Sequence, residues 1–421
     1  MKRLVAAAGG VFLILLAGSA LGQSARNPAA ADSSAACAPT RAVADRIIRP
    51  WLVHGERGSD RKAVGVALGI YLNGAECYFG YGTTRLGSDE TPTRHTLFEI
   101  GSVTKTFTAT MLALREVRNP VFSDRSPVNT SRIPCAGKLC LKLANGMDQL
   151  TYRELATFTG GLPDDPTNLG GIGMRRYTQA DFIAYLNGLA PPPSGLPATD
   201  SYSNSSYGFL GQLLMALDGY HDFDDPAAFR ASFDEWIGDG ITGPLAMTCT
   251  TADIAALPSV CNAGAEMATG YRYEQGRYVA VRDPWPWVPW GPAGALRSDA
   301  EDLLHYTAAY LGAGKAGDVP VPAELTKAMA FAREPTEVQI TEAPANRQGY
   351  AWVVVHAGNE ANVVVLKDGG TAGFSSCVAM MPARASGVVV LVNSTRTLAC
   401  KKARAVLHAM AVAADKSNPK G

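Results

Sequence analysis

The chain has 421 residues, 47% apolar and 18% charged, enough for a large core without a metal or staple and too apolar for a disordered protein. Lys plus Arg and Asp plus Glu both number 38, so the net charge is zero and nothing favours nucleic acid or an acidic membrane surface as partner. Eight cysteines are present with no Cys-x-x-Cys pair, which argues against a thioredoxin-type or zinc-ribbon site.

The N-terminus reads as a secretory signal: Lys2 and Arg3 precede an apolar run over residues 4–21, and Ala20 and Gly22 are small residues at −3 and −1. Cleavage is expected after Gly22, giving a signal peptide over 1–22 and a flexible leader over 23–38. The alternative is an uncleaved helix. No Cys follows the run at once, which argues against a lipoprotein. No later stretch approaches about 18 uninterrupted apolar residues, so no membrane anchor is expected. The expected product is an exported monomer, periplasmic or secreted, that takes a small-molecule substrate. In an exported chain the even cysteine count fits up to four disulfides. Spacing suggests local staples at Cys135–Cys140 and Cys249–Cys261, and Cys37–Cys77 with Cys377–Cys400 would then tie each terminal helix to a strand; spacing alone leaves the pairing open.

Helical spacing runs over 41–53. Apolar and aromatic runs over 64–71 and 76–81 flank Asn73-Gly74, a strong hairpin signal. From 98 to 117 the pattern is helical, and helices and loops continue to about Arg333, broken by Pro-rich loops at Pro191-Pro192-Pro193 and over 283–292. Strand patterns return over 350–356, 362–367, 374–381 and 387–393, and a helix over 398–414 follows. Strands at both ends with helices between predict an α+β fold: an antiparallel sheet built from both chain ends, flanked by the terminal helices. The sheet part would take 39–97 with 345–415, and a large, mostly helical insertion would take 98–344.

Three short motifs recur, and context must select among the copies. Ser-x-x-Lys occurs at Ser59–Lys62, Ser102–Lys105 and Ser417–Lys420. Ser59 sits in a charged turn and Ser417 in the tail. Ser102 follows Gly101 at the head of an amphipathic helix, where free N–H groups favour negative charge, and Lys105 lies one turn on along the same face. A serine hydroxyl is a weak nucleophile until a base stands beside it, and a desolvated lysine can serve. Tyr-x-Asn occurs at Tyr71–Asn73, Tyr185–Asn187 and Tyr202–Asn204; the third lies on a loop before a helix, where functional groups are displayed, whereas Tyr71 and Tyr185 read as packing. Of Lys315–Gly317 and Lys367–Gly369, the second ends a Val-rich strand and is followed by Gly370, so a ligand can approach the backbone.

In chain order these motifs resemble the class C β-lactamases and their relatives, the serine D-Ala-D-Ala peptidases and family esterases. Leu97-Phe98-Glu99-Ile100-Gly101-Ser102-Val103-Thr104-Lys105 is similar to that family's nucleophile segment, and Phe158-Thr159-Gly160-Gly161-Leu162-Pro163 to its characteristic loop. Tyr202-Ser203-Asn204 and the stretch 367–382 match in pattern, and the likeness spans about 41–414. The resemblance implies Ser102 as nucleophile, Lys105 as acceptor or relay of its proton, and Tyr202 as general base. It implies Asn204 bonded to the lysine and the substrate amide, Lys367 as positive charge beside the phenol, and an oxyanion hole from the backbone N–H groups of Ser102 and Gly370, with Gly369 beside it. No metal or cofactor is implied. Two lysines near one phenol are expected to lower its pKa. The pattern departs from the family at Asp368, where it has Thr, and at Asp165, where it has Gln. Two carboxylates there would repel an anionic substrate, with Lys401 placed to compensate. The leading function is β-lactam opening; the alternatives are a D-Ala-D-Ala carboxypeptidase or endopeptidase, a carboxylesterase, and a penicillin-binding sensor that does not turn over.

Other features read as structural. The six histidines, His54, His95, His221, His305, His356 and His408, form no His-Glu-x-x-His, and neither Gly-x-Ser-x-Gly nor a P-loop is present. Trp285, Trp287 and Trp290 alternate with prolines in a loop that either packs on itself or walls a cleft. Ser298 with Glu301 reads as a capping box opening a helix.

Overall fold

The computed structural model describes residues 37–53, 61–256, 261, 266–281, 286–356 and 360–417. The expected signal peptide and leader up to residue 36, and Ser59, Lys420, His54, Asp283 and Trp285, lie outside the described residues.

Eight antiparallel strands form one sheet: β1 (Gly65–Leu72), β2 (Ala75–Gly82), β3 (Gln339–Ile340), β4 (Ala343–Gln348), β5 (Val353–Val355), β6 (Val364–Gly370), β7 (Ser375–Met381) and β8 (Ser386–Val392). Their order is β2-β1-β8-β7-β6-β5-β4-β3, so the N-terminal hairpin joins the C-terminal meander through β1 and β8. The described residues form the helices α1 (Ala38–Ile48), α2 (Thr104–Arg118), α3 (Tyr152–Ala156), α4 (Gln179–Asn187), α5 (Asn204–Leu217), α6 (Pro226–Ile237), α7 (Ala300–Tyr310), α8 (Ala323–Arg333) and α9 (Ala399–Ser417).

Side chains alternate across a strand, so one sheet can bury two faces. Val66, Leu68 and Ile70 of β1 and Val388, Val390 and Val392 of β8 pack with Ala44 and Ile48 of α1 and Ala403, Val406 and Leu407 of α9. The neighbouring positions Ala67, Val389 and Leu391 join the larger core formed with the other helices. The terminal helices therefore cover one face, as expected. Of the pairings left open by the sequence, the structure forms Cys37–Cys77, Cys135–Cys140, Cys249–Cys261 and Cys377–Cys400, the two short ones being those that spacing suggested. No described helix is long and apolar enough to cross a membrane.

Several expectations need correction. The helix read over 98–117 begins only at Thr104; Phe98–Glu99 is a short strand paired with Arg297–Ser298, and Gly101–Val103 is a 3-10 turn. Tertiary pairing, with the buried Glu99–Arg297 ion pair at 3.3 Å beneath it, outweighs helical periodicity there. The strand read over 350–356 shortens to Val353–Val355, because Ala351 turns through φ +62°. β3 and β4 carry no apolar alternation because they form the polar, half-exposed end of the sheet. The cap of α7 is Asp299, which accepts from the Asp302 N–H at 2.8 Å, while the Ser298 hydroxyl meets Thr250 at 2.7 Å.

Helix α2 is buried from Thr104 to Leu114, although an amphipathic helix was expected. Its threonines make this possible by bonding locally or across: Thr108 donates to the Pro292 carbonyl at 2.8 Å, and Thr104 accepts from the Leu296 N–H at 3.1 Å. Trp287 packs edge-on to Phe229, and Trp290 edge-on to Tyr177, so the described part of the Pro-rich loop is core rather than an open wall.

Asn393 ties the sheet to its first crossover. It is fully buried, accepts from the Gly65 N–H at 2.6 Å, and donates to the Thr83 and Thr84 carbonyls at 3.2 and 2.9 Å. Asn393→Ala strands these buried partners and is expected to lower stability by about 3 kcal/mol. Chemical denaturation checks this; a loss below about 1 kcal/mol would mean that water replaces the amide.

Candidate active site

The site forms where three segments meet. The Phe98–Glu99 strand and the turn behind it carry Ser102; Lys105 follows in the first turn of α2. The loop capped by Ser203 carries Tyr202 and leads into Asn204, the first residue of α5; the Ser203 hydroxyl accepts from the Ser206 N–H at 2.9 Å. The last residues of β6 carry Lys367, Asp368, Gly369 and Gly370.

Close approach depends on missing side chains. Gly101 has φ +50°, and a Cβ there would stand 2.6 Å from the Gly370 nitrogen and oxygen. At Gly369 a Cβ would stand 2.0 Å from the Ile100 carbonyl oxygen and 2.4 Å from the Ser376 hydroxyl. That hydroxyl donates to the same Ile100 carbonyl at 2.7 Å and pins the nucleophile segment to β7. The turn at Gly101, next to Ser102, is thus brought against the backbone of Gly370.

Ser102 Oγ is met by Lys105 Nζ at 3.0 Å and by the Tyr202 hydroxyl at 2.5 Å. Lys105 is completely buried and also donates to Asn204 Oδ1 at 2.5 Å and the Ala293 carbonyl at 2.9 Å. Burial, then the charge of Lys367, hold its pKa well below that of a free lysine, against the pull of Asp164, Asp368 and Asp165. Tyr202 as a residue leaves 39% of its surface open, and its ring packs on Phe158 at 5.0 Å between centroids. Lys105 and Lys367 stand 4.7 and 5.3 Å from its centre. The phenol's pKa is nevertheless raised, contrary to the sequence expectation. Burial outweighs the lowering by Lys367 and by the hydrogen bond to Ser102, and Asp368 and Asp164 add to the rise.

Lys367 is buried, and its amine donates to the Asp368 carbonyl at 2.7 Å and to Asp368 Oδ1 at 2.8 Å. Burial pulls its pKa down, but Asp368 and then Tyr202 pull harder together and leave it raised. The Asp368 side chain is 72% exposed, and Lys367 holds its carboxyl below the usual range. Asp165 is exposed and lies 3.5 Å from Asn204 Nδ2. Every expected site residue is therefore brought into one cluster except Lys401. Lys401 is exposed on α9, the helix over the opposite face of the sheet, and makes no hydrogen bond or ion pair with the described site residues.

Sequence reasoning missed Asp164 and the Ala293 carbonyl. Asp164 Oδ1 accepts from the Asn204 N–H at 3.1 Å and fixes the start of α5. Its neighbour Asp165 was noticed only through the loop pattern, and a backbone carbonyl has no residue-type signature. Ala293 is delivered by the Trp290-to-Pro292 turn, which fits against α5 because Gly208 and Gly211 lack side chains; a Cβ there would meet Trp290 at 2.2 Å and Pro292 at 2.3 Å. No group of histidine, cysteine, aspartate and glutamate among the described residues could hold a metal ion.

The family model for beta-lactamases matches residues 44–412. The chain belongs to the β-lactamase family. It is 28% identical over 417 residues to a beta-lactamase of Lysobacter lactamgenus, covering 93% of this chain and 94% of that one. To a beta-lactamase of Pseudomonas fluorescens it is 25% identical over 408 residues, covering 88% and 98%. Its fold is that of the class C beta lactamase from Rhodobacter sphaeroides, with a TM-score of 0.66 at 21% identity over 88% of this chain and 99% of that one. It is a serine hydrolase of this family.

The close contact at Gly369 leads to a test within this β-lactamase-family site. Gly369→Ala is expected to slow labelling by a serine-reactive phosphonate by roughly 10²-fold, because the nucleophile segment must shift. Gly370→Ala, whose Cβ meets nothing nearer than the Phe374 carbonyl at 3.9 Å, should cost far less. Equal labelling rates for the two variants would show that the segment yields without moving Ser102.

Proposed function

We propose that this hydrolase opens β-lactam amides through an acyl-serine intermediate, with Ser102 as nucleophile. The observation that carries the reading is the meeting of Lys105 and Tyr202 at the Ser102 hydroxyl. Lys105, held towards its neutral form, takes the hydroxyl proton as Ser102 Oγ bonds to the carbonyl carbon. The negative charge that develops on the carbonyl oxygen meets the N–H groups of Ser102 and Gly370. As the C–N bond breaks, the proton passes through the Tyr202 hydroxyl to the leaving nitrogen. Water then adds to the ester carbon, loses a proton to the same relay, and releases a carboxylic acid and free Ser102. Asn204 holds Lys105 in place, and Lys367 keeps positive charge beside the phenol. This chemistry calls for neither metal nor cofactor.

We read the cleft as lying between a sheet part, 39–97 with 345–415 and joined by the edge strand residues 339–344, and a helical part over the rest of 98–344. We also read the protein as an exported monomer, periplasmic or secreted, on its four disulfides and signal-like N-terminus.

Ser102→Ala should abolish covalent labelling by a fluorescent penicillin. Tyr202→Phe keeps the ring but removes the relay, and should lower kcat by about 10²–10⁴-fold in a nitrocefin assay. Labelling that survives in Ser102→Ala would overturn the nucleophile assignment, and a near-normal Tyr202→Phe rate would leave the relay to Lys105 alone. Acylation needs neutral Lys105, whose pKa is lowered, so its rate should climb with pH and level off well below the pKa of a free lysine. Lys105→Arg, charged at every accessible pH, should lose both the rate and the climb. Stopped-flow acylation against pH reads this directly, and a flat wild-type profile would refute it.

A further inference from the structure

The loop after Gly160-Gly161 is bound firmly to the start of α5. The Ser203 hydroxyl donates to the Pro163 carbonyl at 2.8 Å, and the Ser205 N–H and hydroxyl donate to the Asp164 carbonyl at 2.9 and 3.2 Å. Asp164 Oδ1 takes the Asn204 N–H at 3.1 Å. Asp165, next along this fixed loop, is exposed and has one long bond, from Asn204 Nδ2 at 3.5 Å. A carboxylate accepts about four hydrogen bonds, so Asp165 keeps most of its capacity for a ligand. It is one side chain from the chemistry, because Asn204 Oδ1 holds Lys105 at 2.5 Å.

The charge of the cluster points the same way. Lys367 spends its charge on Asp368, and Lys105, held towards its neutral form, lies among Ser102, Asn204 and Ala293. Against these two lysines stand the carboxylates of Asp164, Asp165 and Asp368, all within electrostatic reach of Lys105. The leaving atom must reach the Tyr202 hydroxyl to take its proton, which leaves the Asn204–Asp165 side for the acyl portion.

We propose that this cleft takes substrates carrying a free ammonium group on the acyl portion, and that the Asp165 carboxylate receives that ammonium. The proposal rests on Ser102 being the nucleophile; the bond-making steps are unchanged. A charge-assisted N–H···O bond in a partly desolvated cleft should favour such a substrate by about tenfold or more over its uncharged counterpart.

The test compares matched pairs. Ampicillin and benzylpenicillin share nucleus and carboxylate and differ by one ammonium; alanine p-nitroanilide and its N-acetyl derivative differ in the same way. In the wild-type protein the ammonium-bearing member of each pair that is turned over should have a kcat/KM about tenfold or more above its partner. That ratio should fall towards one in Asp165→Asn, and also in wild type as salt is raised, because partly exposed charges are screened. Ser102-dependent turnover with a wild-type ratio of one or below, or a ratio unmoved by Asp165→Asn, overturns the proposal and leaves the nucleophile reading intact. Turnover that survives in Ser102→Ala, or no turnover of any of the four compounds, defeats that reading and the proposal with it.

Discussion

Lys105 is sealed from water, and its amine lies among oxygens from three directions: the Ser102 hydroxyl, the Asn204 amide and the Ala293 carbonyl. Withdrawing an ammonium from water costs several kcal/mol unless protein dipoles replace its hydration. Here those dipoles come from the turn before α2, the first residue of α5 and the end of the Pro-rich loop. Each segment must be in register for the lysine to be solvated at all. The same withdrawal pushes the amine towards the neutral form that a base needs, so the feature that couples the segments also prepares the chemistry.

Getting three segments around one amine is a problem of volume. The chain solves it with glycine at the contacts: Gly101 and Gly369 bring the nucleophile turn and β6 together, while Gly208 and Gly211 admit the Trp290-to-Pro292 turn against α5. Hydroxyl groups then satisfy the polar backbone that close packing would otherwise strand. Ser376 caps the Ile100 carbonyl, and Thr108 caps that of Pro292. The rigidity of the site therefore comes from backbone-to-backbone proximity rather than from bulky side chains, and a single added methyl group has leverage on it.

Electrostatics set the character of the cleft above this scaffold. Lys367 is paired with Asp368 in the next residue of the same strand, so its positive charge is largely cancelled where a ligand would meet it. Asp164 is committed to the start of α5, and Asp165 beside it is not. The phenol of Tyr202 shows how burial and charge compete: Lys367 draws it down, burial drives it up, and burial wins. It therefore stays protonated more readily than free tyrosine.

Much of this was legible in the residues. The hairpin about Asn73-Gly74, the Val-rich strands of the meander and the closing helix follow from local period and turn chemistry. The order Ser102, Tyr202, Lys367 selects one copy of each motif because only those copies stand at a helix head, a loop before a helix and a strand end. The two short disulfides, Cys135–Cys140 and Cys249–Cys261, were suggested by spacing, whereas the full pairing was left open until the fold brought the other cysteines together. Other features depended on partners distant in sequence. Phe98–Glu99 is a strand because Arg297–Ser298 lies beside it, and α2 is buried all round because other segments accept and supply its hydroxyl bonds. The direction of the Tyr202 shift depends on how much water the fold removes, which no spacing encodes. Local propensity and motif order belong to the chain itself; desolvation and the oxygens that replace water exist only once remote segments have met.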